Sequence, residues 1–176
     1  MNPLTQFKKI LILSLLIALS LIVVAPARAT PSCGVIPVAL APTGHFPSGL
    51  LDLMCRDLPL WDLIMRVKGD SDVYIIQNTF PPGAHTGWHT HPGPSLITVV
   101  SGELTVYDAA DPTCTPHVYH AGESFTDIGC GDVHNIRNET GAEAKTIAVQ
   151  IVPHGATRRI DAADPGCAQV PPCPAF

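Results

Sequence analysis

Three histidines carry the clearest chemical signal in this chain: His89 and His91, separated only by Thr90, and His134 further along. Side chains at i and i+2 of an extended strand point to one face, with alpha carbons roughly 6.6 Å apart. Two imidazoles so placed can converge on one ion. The run 131–138 (Gly-Asp-Val-His-Asn-Ile-Arg-Asn) reads as a turn entering a short strand that can deliver His134 as the third ligand. Three imidazoles leave coordination positions open, which distinguishes a reactive metal centre from a closed structural one. Read blandly, His89 and His91 are exposed loop residues ahead of Pro92-Gly93-Pro94. His85 reads first as a loop surface residue, and otherwise as a fourth ligand or a base behind the ligands. His45, His117, His120 and His154 lie in polar or proline-containing connections, and only the pair His117-x-x-His120 has a ligand-like spacing. Tyr107, Tyr119 and Phe125 are readable as cavity walls or as ordinary core.

The elements that must position these residues are strands. Runs rich in Val, Ile, Thr and aromatics occur at 61–67, 73–79, 96–100, 103–107, 123–126, 133–137 and 145–152, separated by Gly, Pro, Asp and Asn. Ser48 to Cys55 reads as one or two helical turns. Many short strands in one unit predict an all-β sandwich or barrel. Ser101-Gly102 between two of the runs predicts a hairpin. Its strands are apolar on both faces, as expected of a barrel wall lining a cavity.

The glycines framing the histidines make the pattern more specific. Gly83, His89, His91 and Gly102, followed by Gly122, Gly131, His134 and Asn138, resemble the two motifs of the cupin superfamily. The first is Gly, five residues, His-x-His, three or four residues, Glu, six residues, Gly. The second is Gly, then Pro-x-Gly-x-x-His and an Asn shortly after. The resemblance spans about residues 60 to 152. It implies a small single-domain cupin with a β-barrel of the double-stranded β-helix (jelly-roll) type and one divalent metal ion on His89, His91 and His134. Two positions depart from the pattern: Ser95 stands where the family has its Glu ligand, and Gly129 where it has Pro. A hydroxyl is a poor ligand beside a carboxylate, so a neutral three-His shell is expected; some dioxygenases of the family are similar.

Residues 1 to 29 resemble a secretory signal peptide: Lys8 and Lys9, an apolar stretch from Ile10 to Val24, and Ala27-Arg28-Ala29 as a small-x-small cleavage site. The apolar stretch is shorter than the roughly 20 residues that span a bilayer, though an uncleaved anchor is the competing reading. The expected layout is a signal peptide at 1–29, an N-terminal extension at 30–59, the cupin domain at 60–152 and a cysteine-containing tail at 153–176. Secreted or periplasmic localisation follows from that layout. Beyond residue 29 the chain has 7 basic and 15 acidic residues, a formal net charge of −8, which argues against nucleic acid or an anionic membrane as partner of the mature form. A small-molecule substrate or ligand is the expected partner, and a homodimer is compatible with the sequence. All six cysteines follow the cleavage site and are expected to be oxidised. The pairings expected are Cys114 with Cys130, Cys167 with Cys173 and Cys33 with Cys55.

Three functions fit these residues: a metal-dependent oxidoreductase or dioxygenase acting on a small molecule, a non-catalytic module that binds a metal or small ligand, and a domain that holds an ion only for folding. Catalytic residues beyond the ligands are unknown from the sequence, since no acid–base carboxylate or nucleophile pair stands out. Three imidazoles accept Fe, Mn, Co, Ni, Cu or Zn, so ion identity stays open.

Overall fold

The structure is a computed structural model and describes residues 29–57, 59–166 and 170–176. Most of the expected signal peptide, and Cys167, lie outside the described residues. Thirteen strands make up the described chain: β1 (Ile36–Ala39), β2 (Gly44–Phe46), β3 (Leu53–Asp57), β4 (Trp61–Met65), β5 (Ser71–Phe80), β6 (His89–Thr90), β7 (Ser95–Ser101), β8 (Glu103–Asp108), β9 (His117–His120), β10 (Ser124–Asp127), β11 (His134–Arg137), β12 (Ala144–Pro153) and β13 (Ile160–Asp161). The fold is all-β, and each of the seven expected strand runs contains a strand. Ser48 to Cys55 is not helical: a turn after Pro47 leads into β3, whose Leu53 and Met54 pair with Met65 and Ile64 of β4. Among the described residues no helix is long and apolar enough to cross a membrane.

One sheet runs β1-β5-β12-β7-β10, with β2 also on β5; the other runs β13-β6-β11-β8-β9. From β5 onward the chain passes back and forth between the two sheets, the winding expected of a cupin. Their inner faces meet around Phe80, Ile97, Val99, Leu104, Ile136 and Ala148. Burying each of the Phe, Ile, Val and Leu side chains stabilises the fold by about 1.5–3 kcal/mol, so this layer holds the sheets together. The strand pairings form two facing sheets and no closed barrel.

Two expectations for the 96–107 region fail for one reason. Ser101-Gly102 is not a hairpin, because β7 and β8 belong to different sheets and the chain turns a corner between them. Gly102 has φ +73°, and a Cβ there would collide with the backbone of Glu143 and Ala144. With the corner placed there, β7 has one inner face, Ser95, Ile97 and Val99, whereas Leu96 and Val100 remain 56% and 49% exposed. The outer face is therefore open rather than buried on both sides.

The cysteines also pair differently. Cys33 is bonded to Cys173, across 140 residues, which excludes both Cys33–Cys55 and Cys167–Cys173. Cys114 is disulfide-bonded, but Cys130 is a free exposed thiol, as is Cys55. Pairing follows proximity in the fold. The segment carrying Cys33 runs beside His85, exchanging Cys33 N–H to His85 O (2.8 Å) and the reverse bond (2.9 Å), with the C-terminal tail alongside. Cys130 instead sits in a turn at φ +57° between Gly129 and Gly131, its sulfur 3.7 Å from Pro92 O. Alkylation of the folded, unreduced protein is therefore expected to label Cys55 and Cys130, as peptide mapping would show. Absence of label at both positions would contradict this assignment.

Candidate metal centre

His89 is on β6 and His134 on β11, directly opposite one another in the antiparallel ladder, so their side chains emerge side by side. His91 follows just beyond β6 and shares the face of His89 by strand alternation. The three imidazoles converge: ring centroids are 4.4 Å apart for His89–His134, 4.8 Å for His89–His91 and 5.6 Å for His91–His134. One nitrogen from each lies within 4.8 Å of the others. The chain thus holds a three-histidine cluster suited to a divalent ion.

Backbone carbonyls fix which nitrogen faces the cluster. His89 Nδ1–H donates to Gly87 O (2.9 Å), and His91 Nδ1–H donates to Arg158 O (2.5 Å). A carbonyl can only accept, so each ring carries its proton on Nδ1 and keeps the Nε2 lone pair for a ligand-accepting ion. The carbonyl of His91 is held in turn by the N–H of Cys130 (2.7 Å). His134 Nδ1 is buried without a hydrogen-bond partner, a costly orphan in a protein-only site. Burial disfavours the protonated form of all three rings. It pushes His89 down to about 2, helped by the positive potential of His134, Arg159 and His91. It also lowers His91 and His134, against the opposing pull of Asp127. Neutral imidazoles are the form that coordinates a metal.

Asp127, which the sequence reading did not single out, lies beside the cluster. It ends β10 directly opposite Ser95 of β7. Its Oδ2 lies 3.6 Å from His91 Nε2 and its Oδ1 3.6 Å from His134 Nδ1. The carboxylate is buried and accepts from Ser95 Oγ (3.4 Å) and Gly129 N–H (2.8 Å), and Ser95 accepts from Gln150 Nε2 (3.2 Å). A negative charge thus reaches the site from the strand beside the one that carries it in the family motif. Its sequence signal was weak: one Asp in Thr126-Asp127-Ile128-Gly129, legible only once β10 is known to pair with β7.

The other departure from the motif has a backbone cause. Gly129 has φ +64°, which proline cannot adopt, and a side chain there would run into the backbone of Gly93. Asn138 is no ligand. Its Nδ2 donates to Phe80 O (2.8 Å) and Ala142 O (2.7 Å), tying the end of β11 to the neighbouring sheet.

Of the remaining candidates, His85 is buried but stands apart from the cluster, its backbone bridging Cys33 and Arg137. His117 and His120 lie on β9 three residues apart, hence on opposite faces. His120 pairs with Glu103 (3.1 Å) and Glu123 (3.4 Å). Tyr119 and Phe125 stack at 4.6 Å in the wall of a smaller cavity of about 190 Å³ that Asp127 and His134 also line. Tyr107 turns away, donating to Glu139 (3.0 Å) beneath the Arg137 guanidinium. His45 and His154, unpaired in sequence, meet at Asp72.

A larger cavity of about 300 Å³ lies between the sheets and contains the three histidines. Ile76, Phe80, Ile97 and Ile136 supply apolar wall, and Asn78, Ser95, Gln150, Arg158 and Arg159 supply polar groups. The Arg159 guanidinium is fixed by Thr86 O (2.6 Å) and Asp161 (2.6 Å), and that of Arg158 lies over the Tyr74 ring at 4.8 Å. A small ligand with a polar end fits such a space.

Residues 78–150 match the family model of the cupin domain. Among solved structures, the chain is similar to an uncharacterized conserved protein with a double-stranded beta-helix domain from Klebsiella pneumoniae, at 22% identity over 52% of this chain and 76% of that one (TM-score 0.44). It is also similar to a cupin domain from Bordetella pertussis, at 19% identity over 70% and 96% (TM-score 0.43). An oxalate oxidase is 28% identical over 47% and 46% (TM-score 0.39). No curated protein matches the chain. With the glycine and histidine motif, the alternating two-sheet winding and the family match in agreement, this chain carries a cupin-like domain over residues 78–150.

Proposed function

We propose that this protein is an exported mononuclear metal enzyme that oxidises a small organic molecule, its ion held by His89, His91 and His134. The observation that supports this reading best is the convergence of three buried, neutral imidazoles beside the buried Asp127 carboxylate, in the wall of a cavity sized for a small molecule. A divalent ion on three imidazoles supplies Lewis acidity, and with Fe or Mn redox chemistry, at its open positions. The protein's own groups do the rest. Arg158 and Arg159 favour a substrate with an anionic end, since both residues line the cavity and a guanidinium attracts carboxylate. Ile76, Phe80, Ile97 and Ile136 exclude water from the remainder. Asp127, beside two ligands and hydrogen-bonded to Ser95, is the group placed to accept or return a proton at its carboxylate oxygen.

The test is oxygen uptake by metal-replete protein across a panel of small carboxylic acids. Turnover should vanish with chelator and return with one ion, Fe or Mn being expected. Full turnover by metal-free protein would refute the reading, and stoichiometric metal with ligand binding but no turnover on any acid would establish a binding module instead.

Two substitutions probe how the carboxylate acts. Asp127→Asn keeps the shape but removes the charge, and is expected to weaken metal binding about 10–100-fold, the scale of groups that orient or polarise ligands. Ser95→Ala should leave metal content nearly unchanged, because the hydroxyl touches Asp127 and Gln150 rather than a ligand nitrogen. Metal titration of the two variants checks both. A larger loss in Ser95→Ala than in Asp127→Asn would reverse the assignment.

A further inference from the structure

A second cluster of metal-binding side chains lies away from the three histidines and shares no residue with them. Asp72, near the start of β5, meets His45 of β2 and His154 just past the end of β12. His154 Nδ1 is 2.8 Å and His45 Nδ1 3.4 Å from the same oxygen, Asp72 Oδ1, and the two rings are 4.4 Å apart. One donor atom from each residue lies within 4.8 Å of the others.

We propose that His45, Asp72 and His154 form a second divalent-cation site, of the zinc type with two imidazoles, one carboxylate and water.

Three features of the cluster argue for an ion rather than a hydrogen-bonded clasp alone. The carboxylate is built in before any ion arrives. Its side chain is only 8% exposed, and its second oxygen, Oδ2, is taken by the N–H of Gly155 (3.0 Å), so Oδ1 is left aimed between the two rings. The Gly155 N–H, then the His154 and His45 rings, hold the Asp72 carboxyl down to about 2, so the oxygen is charged at neutral pH. The spacing also suits coordination. Zinc binds N and O at about 2.0–2.2 Å, which puts two ligand atoms of a tetrahedral ion roughly 3.3 Å apart. The His45–Asp72 separation of 3.4 Å is longer than a good N–H···O bond and close to that value, whereas the 2.8 Å His154–Asp72 pair is a hydrogen bond that an arriving ion would open by about half an ångström. Finally, the histidines are 46% and 58% exposed. Water and a hydrated ion can reach the open side, while three separate backbone segments supply the ligands, so the site exists only in the folded chain.

Zinc titration of the full chain decides this, with Cys55 and Cys130 alkylated first so that thiols do not bind the metal. Native mass spectrometry counts the ions, and thermal unfolding confirms that each variant is folded. In the His89→Ala, His91→Ala background one Zn²⁺ should still bind, raising the melting temperature and shifting the imidazole resonances of His45 and His154. Adding His45→Ala and His154→Ala should abolish that ion and the shift in melting temperature. Asp72→Asn, which preserves shape, should do the same if removing two rings unfolds the chain. A folded His89→Ala, His91→Ala protein that binds no zinc overturns the proposal, as does an ion that survives both the double histidine change and Asp72→Asn. The three-histidine centre fails by a separate result: an unchanged ion count after His89→Ala, His91→Ala while His45, Asp72 and His154 are intact.

Discussion

Replacing both His89 and His91 by alanine is expected to strip the ion from the three-histidine centre and to abolish oxygen uptake. Of the three imidazoles only His134 would remain, beside the Asp127 carboxylate, and a single imidazole competes poorly with water for most divalent ions. The loss should exceed the roughly 10–100-fold cost of disturbing a group that only orients a ligand. The variant should stay folded, because the residues removed line a cavity and contribute no part of the Phe80, Val99 and Leu104 layer. Equilibrium dialysis against Fe or Mn, with thermal unfolding as a control on folding, reads the result. Unchanged affinity in a folded double variant would show that the ion sits elsewhere.

A second large effect is expected at the bridge between Cys33 and Cys173. The bond closes a loop of 140 residues, for which chain-entropy arithmetic gives roughly 5 kcal/mol, and removal of native bridges costs about 2–5 kcal/mol in practice. Cys173→Ser is expected to lower the melting temperature by roughly 4–20 °C for a chain of this size. Cys33 is buried against the His85 segment, so Cys33→Ser places a polar hydroxyl there as well and should be the more damaging of the two. A melting temperature unchanged by either substitution would show that the strap contributes nothing.

What could be read from the residues, and what could not, divides along local and non-local information. His89 and His91 were legible because strand alternation is local, and His134 because the glycine frame fixes its place in a known pattern. Asp127 was not. Its importance depends on β10 lying beside β7 in register, Asp127 opposite Ser95, which no spacing within either strand reveals. The same holds for His45, Asp72 and His154, joined only by the pairing of β2 and β12 on either side of β5. The disulfides failed for the converse reason: Cys114 and Cys130 are near in sequence, but proximity in sequence says little when the chain crosses between sheets. The corner at Gly102 was misread as a hairpin because a tight glycine connection looks alike whether the next strand returns to the same sheet or enters the other.

The central position of β12 sets when this protein can fold. Among the described residues, β12 alone joins the β1–β5 edge of its sheet to β7 and β10, yet it is made late: His154, just beyond it, follows its partner Asp72 by 82 residues. At synthesis rates of about 5–20 residues per second, β5 waits roughly 4–16 s for its neighbour to emerge. During that interval β5 has an open edge, and β7 carries Ile97 and Val99, buried in the finished fold, without a completed sheet behind them. The nascent chain should therefore remain unfolded and bind holdase chaperones until residue 153 has appeared. Truncation before β12 should give an aggregating product rather than a smaller domain, since unpaired strand edges associate with one another.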